Sequence, residues 1–259
     1  MLLALISLFA PVIAPHDPNQ TNLINQFDPP SASSLFGTDE LGRDLFSRVL
    51  YGGQTALLTA LGAVALASIV GIPLGLISGY FGRWADAVIM RVVDVLLAIP
   101  AILIALGLIA MFGRGTVNVI VAVGIVNIPA FARLTRATTL LVKEHDYVQA
   151  TQAMGAGYAY LLARTILPNA IGPILVQMAV TGATAILLAS ALSFLGLGIQ
   201  PPTSDWGTML SIGRQHLFEA PWYGIFPGLA IAVTVYALDE LSKALQDLLG
   251  ARTRAELSL

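Results

Sequence analysis

Few residues in this chain are able to do chemistry, and they are scattered. Its three histidines, His16, His145 and His216, lie far apart and it has no cysteine, so it has no thiol nucleophile, thiolate metal site or disulfide framework. No G-x-x-x-x-G-K-[ST] phosphate loop occurs, and neither Lys143 nor Lys243 follows a glycine; no nucleotide cradle of that type is built here. The H-E-x-x-H and G-x-S-x-G patterns of hydrolases are absent as well. What remains is a chemistry of contact. In residues 147–161, Tyr147, Ala150, Met154, Tyr158 and Leu161 recur at steps of three or four, one apolar stripe about four turns long. Gln149, Gln152, Ala156 and Ala159 lie opposite, small or uncharged. A helix resting on lipid headgroups would carry a strongly basic polar face, so this stripe reads either as a docking surface for another protein or as a plain interhelical loop. Gly155, near its middle, allows a turn between two short helices, and Leu167 before Pro168 is expected to leave the helical region and end the segment.

The elements that position this stretch follow from composition. The chain of 259 residues is 56% hydrophobic and only 11% charged, with a mean hydropathy of +0.80, far from the roughly one-quarter charged content of soluble domains. It is an integral membrane protein. A formal net charge of -2 without a basic cluster argues against nucleic acid. No charge falls between Arg48 and Arg83, Asp94 and Arg114, Arg114 and Arg133, Arg164 and Asp205, or Glu219 and Asp239. Because a crossing helix needs about 20 mostly apolar residues, the spacing predicts spans near 55–80, 87–112, 117–132, 171–197 and 222–237. A sixth, near 1–14, is short; with no basic stretch before it, it reads as a first transmembrane helix whose beginning is missing rather than as a signal peptide.

Backbone in lipid must satisfy its own hydrogen bonds, so all six are predicted to be helices of a single transmembrane domain, 1–259. Gly62, Gly71, Gly75, Gly124 and Gly182, with Pro73, Pro100, Pro129 and Pro173, suit close helix packing and bends. Segments following spans one, three and five carry Arg43, Arg48, Arg114 and Arg214, four cations, whereas the others carry Arg83, Arg91, Arg133, Arg136, Lys143, Arg164, Lys243, Arg252 and Arg254, nine. By the positive-inside rule both termini and the loop 133–170 are expected to be cytoplasmic.

Two further places hold charge. Asp94 lies three residues after Arg91, on one helix face, and reads as a structural ion pair or as a gate or pathway element. In the loop before span two, Gly37 and Gly42 permit turns, Thr38 is placed to cap a short helix whose first turn carries Asp39 and Glu40, and Arg43 and Asp44 are placed to pair. That loop reads as a capped helix or as a ledge at a vestibule mouth, and Trp206 as an interfacial anchor.

The run Gln149-Ala150-Thr151, then Gly155, then Ile166-Leu167-Pro168-Asn169 resembles the EAA loop of permease subunits of bacterial ABC importers. Gln149 stands where that family has glutamate and Thr151 where it has a second alanine. Residues 36–48, FGTDELGRDLFSR, and Ser193-Phe194-Leu195-Gly196-Leu197-Gly198 followed by Pro201-Pro202 and Asp205-Trp206-Gly207 are similar to the dipeptide, oligopeptide and nickel permease group, in its C-type subunit. Towards the end the chain departs from the family, with Asp239-Glu240-Leu241 for a Gly-Asp-centred pattern and Ala251-Arg252 for an Asp-Pro-Arg.

The resemblance implies an all-α type I importer bundle in a bacterial or archaeal plasma (inner) membrane, paired with a second related permease subunit. It also implies two cytoplasmic ATPase subunits gripping the coupling loop through Gln149, Ala150, Thr151, Met154, Gly155, Leu167 and Pro168, and an extracytoplasmic substrate-binding protein. ATP and Mg²⁺ would belong to the partner ATPases; this chain would bind no cofactor or metal and catalyse nothing. An ion-coupled secondary transporter would need a midplane charge, and Arg91 and Asp94 near one end are the only candidates. An apolar pore without a histidine cluster suits peptides, with nickel complexes, glutathione or sugar-like solutes as alternatives.

Overall fold

The apolar runs fold as helices, because only there can uncharged side chains face lipid while every backbone donor finds an acceptor within its own segment. The computed structural model describes residue 7 and residues 9–256, with side chains as far as Leu249. Its helices are α1 (Ala10–Ile13), α2 (Leu45–Phe81), α3 (Arg83–Ala98), α4 (Ala101–Phe112), α5 (Thr116–Val142), α6 (Asp146–Ala153), α7 (Tyr158–Phe194, with a π-helical stretch at Leu161–Ile166), α8 (Trp206–Gly213) and α9 (Trp222–Glu256). Among the described residues there is no strand, only one isolated bridge between Thr38 and Asp44.

Helices α2, α5 and α7 and the stretch Trp222–Leu249 of α9 are each long and apolar enough to cross a membrane, and α3 with α4 makes a fifth candidate. Most of the short first span, residues 1–6 and 8, lies outside the described residues. The expected single span 87–112 is a bent pair: α3 and α4 meet at 92°. Pro100 is the cause. Its ring pushes the preceding residue out of the helical region, and Ile99 sits at φ -102°, ψ 131°.

Pro168 has the opposite outcome. Leu167 stays helical at φ -56°, ψ -44°, so the segment does not end there but runs on through α7. The π-helical turn just before the proline widens the helix and makes room for the ring, which has no N–H to give. The Asn169 side-chain amide donates to the Thr165 carbonyl at 2.7 Å. Helix α5 likewise runs ten residues past its expected end at 132, so Arg133 and Arg136 are helical rather than loop residues.

Contacts divide the chain into two compact units. One contains the chain up to Ala63, Ile102–Val123 and Gly182–Leu238. Its centre is Trp206, 1% exposed, whose indole N–H donates to the Val49 carbonyl at 2.8 Å. A Cβ on Gly52 would lie 2.7 Å from that ring, so the pair of glycines at 52–53 is what admits the indole to the side of α2. Trp206 is therefore a core residue and not an interfacial anchor. Asp205 caps α8 by accepting from Thr208 N–H at 2.8 Å, and burial pushes its carboxyl upward against those hydrogen bonds. Phe36 stacks on Phe226 at 3.8 Å.

The second unit contains Val64–Ala101, Gly124–Thr181 and the chain from Asp239 on. Gly71, Gly75 and Gly79 form a stripe at four-residue spacing along α2, and each meets backbone of α5: a Cβ on Gly75 would lie 2.6 Å from the Ala132 carbonyl oxygen. Small residues thus set the approach of the two helices. Beside this seam, Ala67, Phe131, Ala170 and Ile174 form one core cluster, and Leu76, Val148, Leu161 and Ile166 another.

Candidate functional site

The segment between α5 and α7 is anchored from beneath. Val148 on α6 and Leu161 on α7 are buried against Leu76 and Ile166, each fixing the segment by about 1.5–3 kcal/mol of apolar burial. The stripe at 147, 150, 154 and 158 does not share that fate. Gly155, at φ +87°, splits it into two helices, and only Leu161 of the five turns inward. Tyr147, Met154 and Tyr158 are exposed, Met154 by 80%. Polar neighbours are spent locally: the Gln149 amide donates to the Glu144 carbonyl at 3.2 Å and the Thr151 hydroxyl to the Tyr147 carbonyl at 2.7 Å. Ala150, Gly155 and Pro168 are exposed, and Thr151 and Leu167 half-buried. A Cβ on Gly155 would touch nothing within 4 Å, so the glycine is required by the left-handed turn and not by crowding. The surface offered is a seated knuckle carrying an exposed methionine and two exposed tyrosines.

Asp94 is not paired with Arg91. Its carboxylate takes Arg133 Nη2 at 2.6 Å, because α5 carries Arg133 alongside α3; both partners are about half exposed. A stronger pair, absent from the sequence reading, lies two turns away. Arg136 Nε and Nη2 reach the two oxygens of Asp86 at 2.5 and 2.6 Å, and Ser78 Oγ donates to the same carboxylate. This is the fork geometry that makes arginine pairs strong. Asp86 stands one residue before the expected start of its span and Arg136 lies beyond the expected end of another, 50 residues on, so no spacing joins them. Asp86, Met90, Asp94, Arg133 and Arg136 line one open cleft.

Loop 37–44 forms no capped helix. Asp39 takes the backbone donors for itself: Oδ1 accepts from Leu41 N–H and Arg43 N–H, both at 2.9 Å, and so competes with helix formation. Thr38 Oγ1 accepts from Asp28 N–H at 2.8 Å and donates to the Asn25 carbonyl at 2.5 Å, tying two loop strands together. Arg43 pairs with Asp39 (2.6 Å) and Glu40 (2.9 Å) rather than with Asp44. Arg48 Nε lies 3.3 Å from Asp39, and Tyr223 donates to Glu40. Asp44 is free of these and caps α2, accepting from Ser47 N–H at 2.8 Å and Ser47 Oγ at 2.6 Å. Gly37 and Gly42 have positive φ, 76° and 69°, as the turns require.

Residues 71–255 match the family model for the binding-protein-dependent transport system inner membrane component. The chain is 41% identical over its whole length to the probable D,D-dipeptide transport system permease protein DdpC of Escherichia coli (strain K12), covering 87% of that protein. It is also 41% identical to the dipeptide transport system permease protein DppC of Alkalihalophilus pseudofirmus, over 97% of this chain and 83% of that one. A glutathione transport system permease protein, GsiD of Escherichia coli O6:K15:H31, is 43% identical over 98% of this chain and 84% of its own length. The fold is similar to that of the inward-facing MetNI methionine ABC transporter, with a TM-score of 0.61 at 19% identity over 78% of this chain and 97% of that one. The chain belongs to the family of binding-protein-dependent transport system inner membrane components, as a permease subunit of the dipeptide and oligopeptide group of ABC importers.

Proposed function

We propose that this chain is the membrane half of an ATP-driven peptide importer and that partner ATPases drive it by gripping residues 146–160. The observation that carries this reading is the knuckle around Gly155. Its inward side chains, Val148 and Leu161, lock it to the helices, while Tyr147, Met154 and Tyr158 are left outside. A push on such a surface is transmitted to α2, α5 and α7 because the anchor residues sit in their core. The chain itself performs no reaction; ATP and Mg²⁺ are held by the ATPases.

The excess of Lys and Arg in the segments after the second and fourth expected spans, the adjoining helix ends and the C-terminal tail supports a cytoplasmic side for the knuckle and both termini. A second, related permease subunit completes the pathway, two ATPase subunits sit beneath, and a binding protein delivers solute from outside. The substrates named for these relatives, a dipeptide, a D,D-dipeptide and glutathione, share amide bonds, an ammonium and carboxylates, so a short peptide is the solute class. Glutathione is the specific alternative, supported by the 43% relative. Reconstitution with the ATPases and binding protein tests this: uptake of labelled dipeptide that requires hydrolysable ATP is expected, and uptake indifferent to ATP overturns it.

A further inference from the structure

We propose that the polar pocket closed by loop 37–44 binds a primary ammonium group on the carboxylate of Asp44. The pocket, of about 180 Å³, is lined by His16, Gln20, Asn25, Ser34, Thr38 and Asp44 among others, with no apolar side chain. Asp44 uses one oxygen, Oδ2, to cap α2. Its other oxygen, Oδ1, is buried with no donor, on a side chain only 5% exposed. A buried carboxylate oxygen left unpaired is costly, and such groups in folded proteins mark a water, an ion or a ligand.

No cation among the described residues serves it. Arg43 is bound to Asp39 and Glu40, and Arg48 to Asp39 and the Pro18 carbonyl; His16, whose Nδ1 is 3.8 Å from Oδ2, faces the oxygen already in use. Among the described residues no three metal-ligating side chains come together, so a metal ion lacks a coordination shell. A guanidinium is a poorer match, since its planar fork is best met by two carboxylate oxygens and only one is unpaired here. A compact ammonium needs only one, with the Gln20 and Asn25 carboxamides and the Ser34 hydroxyl placed around the pocket as further acceptors. Gly42 builds the wall: a Cβ there would lie 1.8 Å from the Asn22 carbonyl oxygen.

The inference rests on the transport reading for the source of the ammonium, either the α-amino group of the peptide or a lysine of the binding protein. The test titrates the assembled, detergent-solubilised transporter with glycinamide and with N-acetylglycinamide, following the melting temperature. A saturable rise with glycinamide alone is expected, weakened at least tenfold in Asp44→Asn, which keeps its unliganded melting temperature because asparagine caps a helix as well as aspartate. A parallel arm measures binding-protein affinity before and after acetylation of its lysines. Response to glycylglycine identifies the peptide as source; a tenfold loss of binding-protein affinity on acetylation, matched by Asp44→Asn, identifies the lysine. Equal response to both amides, an unaltered Asp44→Asn, or silence in both arms overturns the site. ATP-driven uptake in the same preparation is read separately, so loss of the transport reading is distinguishable from loss of the pocket.

Discussion

Gly75→Ala tests the seam on which α2 and α5 close. The added Cβ would stand 2.6 Å from the Ala132 carbonyl oxygen, 2.6 Å from Thr135 Cβ and 2.9 Å from Arg136 N. Two of these three atoms are helical backbone, which cannot rotate away as a side-chain tip can. Ordinary carbon contacts begin at about 3.5 Å, so the helices must part by the better part of an ångström. Overpacking of that kind costs about 1–3 kcal/mol. Gly107→Ala, on α4 with nothing within 4 Å of the new Cβ, supplies the control and is expected to gain up to about 1 kcal/mol from helix propensity. Thermal unfolding of the two purified variants reads the difference. Equal melting temperatures for both would refute the claim that the glycine stripe sets the helix approach.

Asp86→Asn removes the charge that Arg136 grips with two donors and is expected to lower stability by about 1.5–3 kcal/mol; Arg136→Lys, which keeps the charge but loses the fork, is expected to recover less than half of it in the same melt. Trp206→Phe gives up the bond to Val49 O and is expected to cost about 1–2 kcal/mol, with no change in the membrane-anchoring behaviour an interfacial tryptophan would control. Asp205 has its carboxyl pushed up by burial, so folding disfavours its ionised form. Its contribution is most favourable below the unfolded carboxyl value and declines as pH rises through the folded one. Asp205→Asn, which keeps the cap, is therefore expected to gain on the wild type as pH is raised, a trend that melts across the acid range will show or deny.

The fold was legible where the solvent decides. Four of the five internal uncharged intervals fall on helices long and apolar enough to cross a membrane and the fifth on the bent pair α3 and α4, because lipid leaves helix as the only open choice, and glycines 71 and 75 are recognisable as packing residues. What escaped the sequence was set by partners far along the chain. Pro100 and Pro168 follow apolar residues in similar runs, yet one breaks its helix and the other is absorbed by a π turn. Arg133 and Arg136 read as loop cations until α5 was seen to carry them beside α3, where they take Asp94 and Asp86. The stripe at 147–161 was correctly periodic, but periodicity does not say which face is covered. Val148, lying off the stripe, turns inward together with Leu161 at the stripe's end. Loop 37–44 held the right residues in the wrong arrangement, since Asp39 captures backbone donors that a helix would have used.

A partner ATPase that grips the exposed knuckle is detected most directly by crosslinking at Met154. A photoreactive residue placed there, on a side chain 80% exposed, is compared with one at Phe112, 57% exposed on α4, in the assembled transporter. The Met154 probe is expected to yield an adduct with the ATPase subunit, reduced when Gly155→Val imposes a side chain on the left-handed turn at a cost of roughly 1–2 kcal/mol, while the Phe112 probe yields none. Absence of any ATPase adduct from position 154, with the complex intact and hydrolysing ATP, would contradict it.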